Sequence, residues 1–310
     1  HGTRRRHAVP GPRSVTLTLR EMVPEHPHTI LQGYVVTEKA DGVRAQLVIH
    51  QERGHLILGK KLGILQTGLR LEGLQGVWIL DGEYITHDKA GNPTRLFMIF
   101  DVYYAGEGGE GTLYPDHAYT YPWTASSKKA LTRSRILEEF KRQVIMTSDG
   151  TSENPMTIGF KTYYEGPKVL KSSQGAFKNL SGMGKVCKKI FALDAKNEGY
   201  GYTIDGLIFM PMYFPVKSLT ESPVHPIGGR WDVNYKWKPP EENTIDFKVV
   251  FEKVKYQGHL VDKVTSTTLE GEVVSCKQVS LIVGYNETDD PTSDFAWKVM
   301  TGHTSKPLKE

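Results

Sequence analysis

From Val43 to His50 the chain alternates, with Val43, Ala45, Leu47 and Ile49 on one side and Arg44, Gln46 and His50 on the other. A period of two predicts a half-buried strand, and Glu52-Arg53-Gly54 behind it predicts a turn. Two further strands are predicted over 77–85 and 95–104, joined by the turn signal Asp88-Lys89-Ala90-Gly91-Asn92. Gly106, Gly108, Gly109 and Gly111 then mark a loop. The period changes after that. Leu137, Phe140 and Val144 share one helical stripe, which predicts a helix capped at Ser126 or Ser127 and running to about Val144. Strands return over 157–164, 202–211, 233–238, 244–254 and 272–283. No internal repeat interrupts this order. The pattern predicts an α+β chain with antiparallel sheets and a domain boundary near Pro239-Pro240.

Composition narrows the setting. The chain has 310 residues, enough for two domains. Its 38% hydrophobic and 24% charged residues are those of a folded protein with a sizeable core. The best apolar runs, Leu96–Phe100 and Leu207–Pro211, fall far short of the ~18 residues a membrane span needs. No secretory apolar stretch stands near the start, so neither export nor membrane insertion is expected. Cys187 and Cys276 are the only cysteines, too few for a disulfide framework or a four-cysteine zinc site. An intracellular, reducing compartment is the expectation.

The net charge of +4 has a local origin. Arg4, Arg5, Arg6, Arg13 and Arg20 stand in the first twenty residues without an acid, giving +5, so the remainder sums to −1. Residues 1–33 therefore read as a basic, disordered arm and lead-in, and the initial His marks the chain as a piece of something longer. A second basic stretch lies over 161–196, with eight lysines against Glu165 and Asp194 and with Tyr163, Tyr164 and Phe177 between them. It suits either a groove tracking phosphates or a solvated helix face, since Val186, Ile190 and Leu193 recur at helical spacing.

Candidate chemistry begins at Glu38-Lys39-Ala40-Asp41-Gly42-Val43-Arg44, fed by the apolar Tyr34-Val35-Val36. A lysine amine attacks an electrophile only when neutral, and at an ordinary pKa about one in 2,500 is neutral at pH 7. A neighbouring cation such as Arg44, or partial burial, would lower that pKa. Gly42 would let backbone come close to a ligand. Five more segments follow in order. Leu80–Tyr84 puts Glu83 on a strand, and Phe97–Asp101 sets Phe100 beside an acid. Thr203–Phe209 carries Asp205, and Asn234–Pro240 carries Lys236 and Lys238 two apart on one strand face. Asn243–Phe247, with Asp246, follows directly. Singly, each has a bland reading as turn, core or solvent face. Gly182-Met183-Gly184-Lys185 lacks the spacing of a phosphate-binding Walker loop.

Together and in this order, the segments resemble the signature of covalent nucleotidyltransferases, the mRNA capping guanylyltransferases and the ATP-dependent ligases. Lys39–Arg44 matches the K-x-D-G-x-R of that superfamily. The run Lys238-Pro239-Pro240 to Phe247 is similar to capping enzymes rather than ligases, above all to the guanylyltransferase segment of the multidomain capping enzymes of poxviruses, asfarviruses and giant viruses. The likeness spans roughly Tyr34 to Val250.

The resemblance implies an ATP-grasp-like ligase/capping domain with antiparallel sheets over 34–240, followed by a partial OB-fold over 241–310. It implies that Lys39 attacks the α-phosphate of GTP, that Arg44 and Glu83 contact the ribose, and that Phe100 stacks on guanine. Lys236 and Lys238 would hold the α-phosphate, and Lys161 would read the guanine edge. Asp205 would help place a divalent ion, Mg²⁺ or Mn²⁺, and Asp246 would act near the phosphates. The implied partners are GTP, a 5′-diphosphate RNA, and triphosphatase and methyltransferase domains of the parent polypeptide, in the host cytoplasm or virion if the source is viral. One family element is missing: no Arg-x-Asp-Lys occurs in the chain, so the OB-fold reads as cut before that motif. Two alternatives stay open, an ATP-using RNA or DNA ligase and a non-catalytic RNA-binding module.

Overall fold

The computed structural model describes residues 11–59, 63–106, 117–127, 129–168, 173–196, 199–216, 229–239, 248–269 and 272–282. The described residues are mostly strand, with few helices. The chain divides into two compact units, His1–Glu242 and Asn243–Glu310.

The first unit is built on two sheets. In chain order its strands are β1 (Arg13–Thr16), β2 (Tyr34–Ala40), β3 (Val43–His50), β4 (Arg53–Leu58), β5 (Gly63–Glu72), β6 (Trp78–His87) and β7 (Pro93–Tyr104). After helix α1 (Arg133–Gln143) come β8 (Ile145–Ser148), β9 (Thr157–Phe160) and β10 (Tyr164–Glu165). Helix α2 (Ser173–Ala195) precedes β11 (Ile204–Pro211) and β12 (Arg230–Trp237). One sheet has seven strands in the order β8-β5-β4-β3-β6-β7-β9, and the other has five in the order β1-β12-β11-β2-β10. All pairings are antiparallel except β7 with β9 and β1 with β12.

The alternation in β3 holds only in part, since Val43 is exposed and Gln46 is buried. Ala45, Leu47 and Ile49 are buried while His50 is exposed. A core around Trp78, Leu80, Phe97 and Val102 takes in Ile136 and Phe140 of α1 together with Val35 of β2. Tyr34 and Val36, pointing the other way from Val35, join Met183 and Ile190 of α2 in a second core. β2 is thus buried on both faces, the reason it begins as a continuous apolar run. Each fully buried aliphatic side chain contributes roughly 1.5–3 kcal/mol relative to exposure, so β2 is an anchored platform for whatever it carries. On α2 the apolar stripe faces inward, and Lys178, Lys185, Lys188, Lys189 and Lys196 are exposed. That is the solvated-face arrangement.

Three expectations change in the first unit, and in the second the strand expected over 272–283 breaks into Glu272–Lys277 and Val279–Ile282, which join different sheets. The lead-in is not a disordered arm from Gly11 onward: β1 pairs with β12, and Leu17 N–H donates to the Lys236 carbonyl at 2.8 Å. Val15 and Leu17 give this stretch an apolar side to pack, and residues 1–10 lie outside the described residues. Helix α1 starts at Arg133 and not after Ser126 or Ser127. Thr132 Oγ1 caps it by accepting from Arg135 N–H at 3.3 Å, whereas Ser127 closes only a turn. The buried Arg133 explains the placement, since its Nε must reach the buried Asp101 at 2.7 Å. Finally, the predicted strand over 157–164 breaks into β9 and β10, each joining a different sheet. The glycine loop beyond Gly106 lies outside the described residues.

In the second unit the described strands are β13 (Lys248–Phe251), β14 (Lys253–Tyr256), β15 (His259–Asp262), β16 (Val264–Leu269), β17 (Glu272–Lys277) and β18 (Val279–Ile282). They pair antiparallel as β13 with β18, β14 with β15 and β16 with β17.

Candidate active site

Lys39 stands near the end of β2, next to β11 in the sheet. Its ammonium donates to both oxygens of Asp205, at 2.7 and 3.0 Å. Lys238, just past the end of β12, reaches the same carboxylate at 2.6 Å. A backbone irregularity makes this possible. The β11–β2 register shifts between Ile204 and Leu207, and Gly206 within the shift has a φ of +142°. A Cβ on Gly206 would lie 2.0 Å from the Trp237 carbonyl oxygen. Only glycine lets β11 pass so close to the end of β12, and that approach brings Asp205 and Lys238 together. Partial burial raises the cost of charge on Asp205, but the hydrogen bonds from Lys238 and Lys39 outweigh it and hold the carboxyl below its ordinary pKa.

Glu83 faces Arg44 across the β3–β6 ladder. Burial pushes its carboxyl up to about 7, against the opposing charges of Lys161 and Lys39. The Arg44 guanidinium is not the cation beside Lys39. It grips the fully buried Asp81, donating from Nε at 3.2 Å and from Nη2 at 2.5 Å. It also donates to the Pro12 carbonyl at 2.8 Å and to Tyr103 Oη at 3.1 Å. Its charge is therefore balanced by Asp81, and the cation that shares a partner with Lys39 is Lys238. Gly42 serves a neighbour, too: a Cβ there would meet the Tyr84 carbonyl oxygen at 2.7 Å and Glu83 Cγ at 2.9 Å. It lets the β2–β3 turn lie against β6, where the expectation was an approach to ligand.

Phe100 on β7 and Lys161 just after β9 are brought together by the parallel β7–β9 pairing and by Lys161 N–H donating to the Ile99 carbonyl at 2.8 Å. The Lys161 ammonium lies 5.5 Å and the Arg44 guanidinium 5.9 Å from the Phe100 ring centroid. Phe100 and Lys161 also border a cleft of about 380 Å³ on the α1 side, lined by Trp123, Ser134, Leu137 and Lys141 among others, and Lys39, Glu83, Asp205 and Lys238 do not line it. The Lys161 side chain is 3% exposed, donates to the Glu38 carbonyl at 3.0 Å and stands 3.8 Å from its Oε1. Burial pulls its pKa down, with Glu38 and Glu83 opposing.

Of the residues singled out in the sequence, Lys39 and Lys238 both touch Asp205, and the charges of Lys39 and Lys161 act on Glu83. Lys236 is half-buried two residues before Lys238, and Asp246 lies outside the described residues. Sequence reasoning passed over Asp81, Tyr103, Tyr202 and Glu38. The signal for Asp81 and Glu38 was present: each is an acid inside or beside an apolar strand run, where only a partnered carboxylate can be buried. Among the described residues no group of three His, Cys, Asp or Glu side chains is placed to hold a metal ion. Asp205 offers a single carboxylate, already engaged by two ammonium groups. Magnesium at nucleotide sites takes one or two carboxylates together with phosphate oxygens and water. The donor set therefore fits an ion delivered with a nucleotide.

No family model matches the chain. Among curated proteins it is 30% identical over 255 residues to a probable mRNA-capping enzyme of Acanthamoeba polyphaga mimivirus, covering 71% of this chain and 19% of that protein. It is 27% identical over 220 residues to the mRNA-capping enzyme of African swine fever virus (isolate Pig/Kenya/KEN-50/1950), covering 70% of this chain and 18% of that one. The chain is similar to viral mRNA-capping enzymes. That bears out the resemblance carried by the ordered motifs, over a chain that spans less than a fifth of the length of these relatives. Among solved structures, one titled Pmar-Lig_Pre. is 14% identical with a TM-score of 0.41, covering 90% of this chain and 57% of that one. Among the described residues no helix is long and apolar enough to cross a membrane.

Proposed function

We propose that the first unit is an mRNA guanylyltransferase, which moves GMP from GTP to the 5′-diphosphate end of RNA through a covalent bond to Lys39. The observation that carries this reading is the convergence of Lys39 and Lys238 on Asp205, with Glu83, Lys161 and Phe100 close by. In the first half-reaction Lys39 Nζ gives up a proton and bonds to the α-phosphorus, while the bond to the pyrophosphate oxygen breaks. In the second, an oxygen of the RNA diphosphate bonds to the same phosphorus and the phosphorus–nitrogen bond breaks. The covalent intermediate divides one difficult transfer into two easier ones.

Lys238 and Lys236 hold the α-phosphate, where charge builds during in-line attack. The Asp205 ion pair holds Lys39 and Lys238 side by side before phosphates enter. Glu83 accepts hydrogen bonds from the ribose hydroxyls, with Arg44 beside it, and Phe100 stacks on the base. Asp205 would also hold a divalent ion arriving with the phosphates, which would neutralise their charge. Asp246 acts near the phosphates. The strands after Glu242 belong in this reading to an OB-fold, within a domain arrangement of 34–240 and 241–310. RNA triphosphatase and methyltransferase domains accompany it in the parent polypeptide, a reading supported by the length of the viral relatives.

The test mixes the protein with α-labelled GTP or ATP and Mg²⁺ and follows label that survives denaturation. Label from GTP is expected. Label from ATP alone would make it a ligase-type adenylyltransferase, and label from neither would leave an RNA-binding module.

The stacking role has its own check. Phe100→Ala should weaken GTP binding by the ~1–3 kcal/mol typical of base–aromatic stacking, about five- to hundredfold, while Phe100→Tyr should be much milder. A titration showing an unchanged dissociation constant with a lower Tm would make Phe100 a core residue instead.

A further inference from the structure

We propose that Glu38 is a positioning residue that fixes the Lys161 ammonium beside Phe100, so that the site favours a purine bearing a 6-oxo group over one bearing a 6-amino group. The inference rests on the guanylyltransferase reading and deepens it, and none of the phosphoryl-transfer steps uses Glu38.

Glu38 is fully buried, one residue before the nucleophile. A buried carboxylate persists only when it is paired and hydrogen-bonded, and here every partner is in place. Thr37 Oγ1 donates to Oε2 at 2.7 Å, and Tyr202 Oη donates to Oε1 at 2.8 Å. Lys161 Nζ stands 3.8 Å from that same Oε1 and donates to the Glu38 carbonyl at 3.0 Å. Both the side chain and the main chain of Glu38 thus hold one ammonium. Tyr202 and Thr37 keep the carboxylate from turning away.

The ammonium is held over the Phe100 ring, 5.5 Å from its centroid. A base stacked on that ring brings its edge alongside Lys161. An ammonium can only donate. It matches the carbonyl oxygen of a 6-oxopurine and faces the amino group of a 6-aminopurine donor to donor. A buried polar group left without its match discriminates far better than a change of shape does. Glu38 has a second effect, since its negative charge counters the burial that would otherwise favour a neutral amine at Lys161. The carbonyl that Lys161 engages also belongs to the peptide unit that begins Lys39, so the base reader and the nucleophile share one piece of backbone.

The experiment measures dissociation constants for GTP, ITP and ATP, with melting curves, on the 310-residue chain and four variants. Glu38→Gln is expected to weaken GTP and ITP alike by about tenfold, the effect of losing one contact to a charged group, and to leave ATP nearly unchanged. Lys161→Met should act in the same direction, and the double variant should be no worse than Lys161→Met alone. Tyr202→Phe, which removes only one hydroxyl from the network, should shift the GTP-to-ATP ratio the same way but less, and it carries the test if Glu38→Gln fails to fold. Equal weakening of GTP and ATP, or additive effects in the double variant, would overturn the assignment and leave Glu38 a structural residue. A parent protein that prefers ATP to GTP would overturn the guanylyl reading itself, and this assignment with it.

Discussion

Lys39→Ala takes up no covalent nucleotide from α-labelled GTP, while its melting temperature stays close to that of the parent protein. The amine is the only protein nucleophile in the proposed reaction, so its loss removes the covalent route altogether, a deficit of many orders of magnitude. The fold should be spared because Asp205, which loses the 2.7 Å bond from Lys39, keeps the 2.6 Å ion pair with Lys238. Lys39→Arg separates charge from nucleophilicity. A guanidinium restores the ion pair with Asp205 but stays protonated at every working pH, so it should be as inert as alanine. A denaturing gel of both variants, beside a GTP titration, checks this. Label on the alanine variant would remove Lys39 from its role.

The strands that carry the site were legible because they have one face in a core. β3, β6 and β7 alternate or run apolar over most of their length, and the expected segments 43–50, 77–85 and 95–104 fall on them within a few residues. β4 and β5 left no comparable trace. Their buried positions are interrupted by glycines and polar residues such as Gly54 and Thr67, and the buried Thr67 hydroxyl is satisfied by donating to the Gly54 carbonyl at 2.7 Å. Such a bond between positions thirteen residues apart has no local signature. The same holds for the start of α1, which is set by the long-range pairing of Arg133 with Asp101.

The candidate site divides along the same line. Residue types and order named Lys39, Glu83, Phe100, Asp205 and Lys238. What local sequence could not reveal was who balances whom. It cast Arg44 as the cation beside Lys39, but β3–β6 pairing sets the guanidinium over the buried Asp81 and leaves Lys39 to Asp205. The Asp205–Lys238 contact depends on the φ of +142° at Gly206, a single backbone angle in the motif Asp-Gly. Tyr202 and Glu38 meet across 164 residues of chain. Partners at such separations are a property of the sheet order β12-β11-β2, which motif spacing alone does not encode.

Glu83→Gln should make the protein more stable at pH 8 and change little at pH 4. Burial pushes the Glu83 carboxyl from an ordinary 4.5 up to about 7 in the folded protein, with Lys161 and Lys39 pulling the other way. The folded state therefore binds the proton more tightly than the unfolded chain does. Its stability contribution is fully present below about pH 4.5 and is lost as pH rises toward 7, because the unfolded carboxyl ionises freely while the folded one must charge inside the site. A shift from 4.5 to about 7 corresponds to roughly 3 kcal/mol at full ionisation, at ~1.4 kcal/mol per pKa step. Glutamine has no charge to bury, so the variant should gain up to that amount at pH 8. Urea unfolding of parent and variant at both pH values measures it, and other titrating groups cancel in the difference. The same variant should bind GTP more weakly, since an amide replaces the carboxylate offered to the ribose hydroxyls. Opposite signs for stability and binding would mark a residue kept for its ligand, because a carboxylate retained only for the fold has no reason to oppose it. Equal stability of the two proteins at pH 8 would mean that Glu83 is solvated, and that its carboxyl ionises as freely in the folded protein as in the unfolded chain.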